Sequence, residues 1–135
     1  MASPRLSQIR RLCASLVFQR TLYAEGPRHE LRGLYRDLHA QALAVDWPLD
    51  RWLWDLEPRF GAATSLRAFA LAEATRRALL EAADEDWWRN PRGGAFLKRL
   101  AKRGGSTSAE ALAGEFGGVL SVRSAAQQAI AVAAR

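Results

Sequence analysis

The chain has 135 residues, 49% of them hydrophobic, with 20 lysines and arginines against 14 aspartates and glutamates and a formal net charge of +6. That length is the size of one domain, and the apolar share with five tryptophans excludes a largely disordered chain. The single Cys13 excludes an internal disulfide, and a reducing, cytoplasmic setting is expected.

The elements are helices divided by proline and glycine. Ser3 can cap a first helix with Pro4 at its first position, where a missing N–H costs nothing. Leu6, Ile9, Cys13, Leu16 and Tyr23 follow one face of it at helical spacing. The stretch from Met1 to Ala24 has no acid and carries Arg5, Arg10, Arg11 and Arg20 among serines. That is also transit-peptide composition, but an amphipathic first helix is the plainer reading. Gly26-Pro27 stops this helix, and a second follows with the stripe Leu31, Leu34, Leu38, Ala42 and Val45.

Asp46-Trp47-Pro48 breaks the pattern, and Leu49 to Leu56 reads as an aromatic-rich turn or short helix. After Glu57-Pro58 a long alanine-rich helix is predicted over 62–83, with Leu66, Phe69, Ala70, Glu73, Arg77 and Leu80 on one side. Trp87-Trp88 falls in a turn ended by Asn90-Pro91. The next helix has Phe96, Leu97 and Leu100 as its apolar edge and Gly104-Gly105 as its stop. Thr107 with Glu110 predicts a capping box for a short helix ending near Gly117-Gly118. The tail predicts a terminal helix with Val122, Ala126, Ile130 and Ala133 at helical spacing. No segment alternates as a strand does, and no apolar run approaches the roughly 20 residues of a membrane span. The expectation is one compact all-α domain of about six helices. Within it, 1–45 holds two helices, 46–60 an aromatic-rich connection, 61–117 a helical segment and 118–135 an alanine-rich tail.

The charge excess is local. Arg89, Arg92, Lys98, Arg99, Lys102 and Arg103 lie in a stretch without an acid, and the other fourteen bases balance all fourteen acids. These six are the candidate anion- or partner-binding residues. Basic side chains meet phosphates, and Trp87 and Trp88 could stack on bases. The apolar edge of the same helix favours an ordinary amphipathic helix with a solvated basic face, and Trp87, Trp88, Asn90 and Pro91 favour a structural corner.

Other chemistry is not assembled. His29-Glu30 begins like the zinc motif H-E-x-x-H, but the second ligand position is Gly33, and His39 lies about 80° away around a helix. Both histidines read as surface or partly packed. The acidic clusters Asp84-Glu85-Asp86 and Asp55/Glu57 have no nucleophile paired with them, and no G-x-S-x-G elbow occurs. No catalytic or metal-binding residue is assigned.

Two segments carry a family resemblance. Asp55-Leu56-Glu57-Pro58-Arg59-Phe60, followed by Leu66-Arg67-Ala68-Phe69, resembles the "DxDPxFY…YLRAW" stretch of oligopeptidase-like zinc metallopeptidases, the mostly helical relatives of thimet oligopeptidase and oligoendopeptidase F. Glu85-Asp86-Trp87-Trp88-Arg89-Asn90-Pro91 with Gly94, Phe96 and Leu97 is similar to their "GEDWWRNPxAGxFLRxLWxxG". Ser108-Ala109-Glu110-Ala111-Leu112-Ala113 is similar to the "SAEELAREIG" that follows. The likeness covers residues 50 to 117. It implies a helical fold from the C-terminal part of a catalytic domain, whose zinc helix and third ligand lie upstream of this region. The family's substrate-binding tyrosines fall on Gly61 and Ser65, and its tryptophan on Phe69, so the framework is kept and the donors are not.

The resemblance therefore implies a non-catalytic helical remnant or fragment acting through self-association or a complementary chain. It requires no cofactor of its own, since zinc is expected only for the full-length family. An anion- or nucleic-acid-binding module built on the basic stretch 89–103 is the alternative. A further alternative is the C-terminal part of a peptidase that is active only when an upstream zinc-bearing segment completes it. No membrane partner is expected.

Overall fold

The computed structural model describes residues 4–133, and the expected cap Ser3 lies outside them. The described residues form six helices and no strand. In chain order these are α1 (Pro4–Glu25), α2 (Leu31–Leu43), α3 (Gly61–Ala83), α4 (Pro91–Lys102), α5 (Ala109–Glu115) and α6 (Val122–Ala133), with a single 3-10 turn at Pro58–Phe60. The all-α expectation holds. No helix among the described residues is long and apolar enough to cross a membrane.

The helices group into two units, residues 4–66 with 126–133, and Arg67–Ala125. Both seams fall inside helices, within α3 and within α6, and not in the connection 46–60.

In the first unit α1 packs on α2 around Phe18, Leu22, Leu31 and Tyr35. The α1 face that is buried runs Ile9, Leu12, Ser15, Phe18, Gln19, Leu22. It is rotated from the predicted stripe: Cys13 is exposed and Tyr23 is 54% exposed. The predicted stripe skipped Ser15 and Gln19 because they are polar, and so lost the true direction. The α2 stripe shifts in the same way, to Leu31, Tyr35 and His39, with Leu34, Leu38 and Ala42 half-buried beside it. Ala44 ends α2 in the left-handed region (φ 57°) and donates to Ala40, so Val45 lies past the helix and is exposed. Residues 49–55 form turns and no helix. Trp47, Trp52 and Leu56 fold in against the α1–α2 core.

In the second unit the buried side chains are mostly small. Ala70, Glu73, Ala74, Leu79 and Ala83 of α3 are buried, as are Leu112 and Ala113 of α5 and Ala125 of α6. Leu66 in the first unit, with Ala70 and Glu73, keeps the predicted α3 face. Phe69 and Leu80 are half-buried and Arg77 is exposed. The predicted capping box does not form. Ser108 caps α5 by accepting from Ala111 N at 3.2 Å, and Glu110 instead receives Arg67 at 2.8 Å. Because Ser108 and not Thr107 is the N-cap, Glu110 stands at the second helical position, one short of where a capping box needs its carboxylate. On α6, Val122 and Ala126 are half-buried, but the buried residues are Ala125 and Ala129, and Ile130 is 54% exposed.

Candidate functional site

The corner between α3 and α4 rests on one amide. Asn90 Nδ2 donates to the Ala83 carbonyl at 3.1 Å, satisfying an end carbonyl of α3. Its Oδ1 accepts from Arg92 N at 2.9 Å, capping α4, and Pro91 takes the first helical position. Only an amide does both, because a carboxylate has no donor. Gly93 is buried under this corner. A Cβ there would stand 2.4 Å from the Trp87 carbonyl oxygen, so glycine is required by close approach. Trp87 and Trp88 meet edge to face, with centroids 6.0 Å apart. Trp87 walls an open groove of about 430 Å³ with Ala68, Leu71, Ala72, Thr75 and Leu79. Trp88 is 66% exposed. Of the four expected corner residues, Asn90 and Pro91 make the joint and the Trp87 backbone lies against Gly93, while Trp88 stands largely in solvent.

Helix α4 divides cleanly. At roughly 100° per residue, Arg92, Lys98, Arg99 and Lys102 share about a third of the circumference, while Phe96, Leu97 and Leu100 take another sector. All six predicted basic residues are exposed, with Arg89 just before the helix and Arg103 just after it. Arg103 pairs with Glu115 at 2.5 Å, and that carboxylate raises the guanidinium pKa further. The other five have no ion-pair partner among the described residues. Phe96, Leu100 and Phe116 floor a groove of about 310 Å³, with Arg99, Arg103 and Glu115 at its rim. Phe96 and Phe116 lie 5.8 Å apart, centroid to centroid.

The first unit holds a polar chain that the sequence reading missed. Arg51 pairs with Asp55 at 2.9 Å, and Tyr35 donates its hydroxyl proton to the same carboxylate. Trp47 Nε1 donates to the Tyr35 hydroxyl at 2.7 Å. One turn along α2, His39 Nδ1 bonds the Tyr35 carbonyl at 2.9 Å. A carbonyl only accepts, so Nδ1 carries the proton and Nε2 accepts from Ser15 Oγ, 3.1 Å away. Trp47 stacks on the His39 ring at 5.2 Å. Tyr35 and His39 are each 1% exposed, so His39 is a core histidine, whereas His29 is exposed and receives Arg32. Burial lowers the His39 pKa. Burial first, and then the Asp55 hydrogen bond, push the Tyr35 phenol up to about 12. A readable signal existed in the i,i+4 pairs Tyr35/His39 and Ser15/Gln19, which put two polar groups on each facing helix.

A serine bonded to a histidine is also how a nucleophile is activated. Here both side chains are buried, so no substrate carbonyl reaches Ser15 Oγ. Asp55 and Glu57, the acidic pair for which the sequence shows no partner nucleophile, are half-buried. Asp55 is held by Arg51 and Tyr35, and the Glu57 carbonyl accepts from Gln19 at 3.3 Å. Among the described residues no three His, Cys, Asp or Glu side chains come together as a metal site. Compared with protein-family models, curated proteins and solved structures, the chain matches none.

Proposed function

We propose that this chain is a helical protein-binding module without catalysis of its own, related in ancestry to the C-terminal helical region of oligopeptidase-like zinc metallopeptidases, and that it acts through a second copy or a partner chain. The observation that carries the reading is the exposure of Trp54, 88%, and Trp88, 66%, in a chain that tucks Trp47, Trp52 and Trp87 against other side chains. Tryptophan held on a folded turn and left in water is the residue type that dominates protein interfaces. The sequence resemblance supports the same reading. Where the resembled family has a tyrosine, Gly61 opens α3, and the space its Cβ would need is filled by the Glu57 carboxylate 2.6 Å away. A donor side chain there has no room without moving Glu57. The test is hydrolysis: the purified chain, supplied with zinc and a mixed peptide pool, is expected to release no products, and measurable turnover overturns the reading.

A second reading has its own observation. Five exposed bases without an acid partner, beside the exposed Trp88, suit a polyanion. It requires retention on heparin at low salt that weakens on neutralising Arg92 or Lys98. Elution with the void volume removes it.

A further inference from the structure

We infer that the partner is a second copy of this chain, and that the contact joins the segment 45–54 of one copy to the α4 groove of the other. The inference rests on the binding-module reading and gives it a partner. The segment 45–57 has two faces. Trp47, Trp52 and Leu56 turn into the core, while Val45 (51%), Leu49 (38%), Leu53 (47%) and Trp54 (88%) are exposed. The bonds of Trp47 and Asp55 to Tyr35 hold the inward face, so the outward one is presented without a large ordering cost.

Charge selects the occupant. The segment 45–57 carries Asp46, Asp50, Asp55 and Glu57 against one base, Arg51, and that base is already paired with Asp55. Asp46 and Asp50 are exposed. The stretch 89–103 carries six bases and no acid. Each therefore offers what the other lacks: apolar side chains edged by acids, and an aromatic groove whose rim holds Arg99 beside the mutually neutralised pair Arg103–Glu115. The groove over Phe96, Leu100 and Phe116, about 310 Å³, is at the lower end of side-chain and small-ligand pockets. Arg99 at its rim has no ion-pair partner among the described residues and can stack on an indole that enters. Trp54 is the anchor that fits this description, with Asp46 and Asp50 meeting Arg99 at the rim and Lys102 beside it on the basic face. Every copy carries both surfaces, so two copies can make the contact twice. If the rotation does not close, the same contact adds copies in a row.

Sedimentation equilibrium with reductant present, which keeps the exposed Cys13 from cross-linking, tests this. The wild-type chain is expected to exceed its 14.9 kDa monomer mass as concentration rises, and less so in high salt. Trp54→Ser is expected to weaken association at least tenfold. The pair Asp46→Lys/Asp50→Lys and the pair Arg99→Glu/Lys102→Glu should each be monomeric, with unchanged helical circular dichroism. Mixed one to one they should associate again, because both reciprocal contacts are then of opposite charge. A wild-type chain that stays monomeric throughout, or a mixture that stays monomeric, overturns the second-copy contact. Neither result bears on the hydrolysis test, so the non-catalytic reading stands or falls separately. Association that survives Trp54→Ser unchanged also overturns the proposed contact. So does heparin binding by a monomer that the Arg99→Glu/Lys102→Glu pair abolishes, which assigns α4 to polyanions instead.

Discussion

The two units treat polar side chains in opposite ways. In the first, Arg51, Asp55, Tyr35, Trp47, His39 and Ser15 bond to one another or to the backbone, and together they pin the segment 46–57 onto α1 and α2. In the second, Asn90 alone does comparable work at the α3–α4 corner, and the bases around it face water. The contrast explains why tryptophans occur in both places. A tryptophan whose indole N–H finds a phenol is an element of the core, as Trp47 is. Trp52 packs into the same core through its ring, whereas Trp54 and Trp88 stay at the surface.

The sharpest way to break the second unit is at Gly93. Gly93→Val puts a branched side chain where even a Cβ meets the Trp87 carbonyl oxygen, and backbone cannot yield as a side-chain tip can. A loss of ~3 kcal/mol or more is expected by chemical denaturation. Gly94→Val, one residue on with open space around it in the same helix, is expected to be neutral or to gain a few tenths of a kcal/mol, roughly 0–0.5. Equal costs for the two variants mean the close approach does not matter.

Tyr35→Phe is the matching blow to the first unit. It strips a partner from Trp47 Nε1 and from the Asp55 carboxylate, whose side chain is only 12% exposed. Leaving the indole N–H without its acceptor and Asp55 with Arg51 as its remaining partner costs about 1–2 kcal/mol, and denaturation midpoints report it. The same chain sets a pH window. His39 is buried neutral with its pKa lowered, so its contribution is present above the ordinary histidine value of about 6.5 and is lost as pH falls through the folded value. Tyr35 is shifted upward, so its contribution is full below about 10 and is lost as pH rises through about 12. Thermal midpoints should therefore decline at both ends. His39→Gln should remove the acid-side decline; its persistence shows that His39 is not the group responsible.

How much of this was legible varies with the range of the interaction. The helix bounds at Gly26, Pro58, Pro91 and Gly104 follow from local backbone chemistry, and so does the Asn90-Pro91 corner. Facing sides of helices depend on what packs opposite. The sequence pattern leaves polar Ser15 and Gln19 off the predicted core stripe and reads His39 as surface or partly packed. The partners that let them be buried, Ser15 with His39 and Gln19 with Glu57, sit 24 and 38 residues apart in sequence. Periodicity weighs a residue by its polarity alone and cannot see that His39 is satisfied at both nitrogens. The capping box failed by one residue of register: Ser108 caps α5 in place of Thr107, and Glu110, no longer at the third helical position, pairs with Arg67. The basic stretch was visible from composition, but its groove was not, because Phe116 joins Phe96 only in the fold.

Asn90→Ala sharpens the comparison at smaller scale. It removes the α4 cap and leaves the Ala83 carbonyl without its donor, and a loss of ~1.5 kcal/mol is expected. Asn90→Asp keeps the cap acceptor and loses only the donor, so it should recover about half of that. If Asp proves as costly as Ala, the bond to Ala83 dominates and the cap is incidental.

The smallest effect belongs to the basic face itself. Arg92 and Lys98 are exposed and have no ion-pair partner among the described residues, so Arg92→Gln with Lys98→Gln should change stability by no more than ~0.5 kcal/mol. The sign is informative. Bases crowded on one helix face repel one another, and removing two of them relieves that repulsion within a Debye length of about 10 Å at 0.1 M salt. A slight gain at low salt that vanishes at high salt identifies a surface kept charged against its own stability. Such a surface is maintained for a contact outside the chain. A loss instead would mean the two side chains serve the fold, as Asn90 does, and the division between an inward-bonded unit and an outward-charged one would not hold.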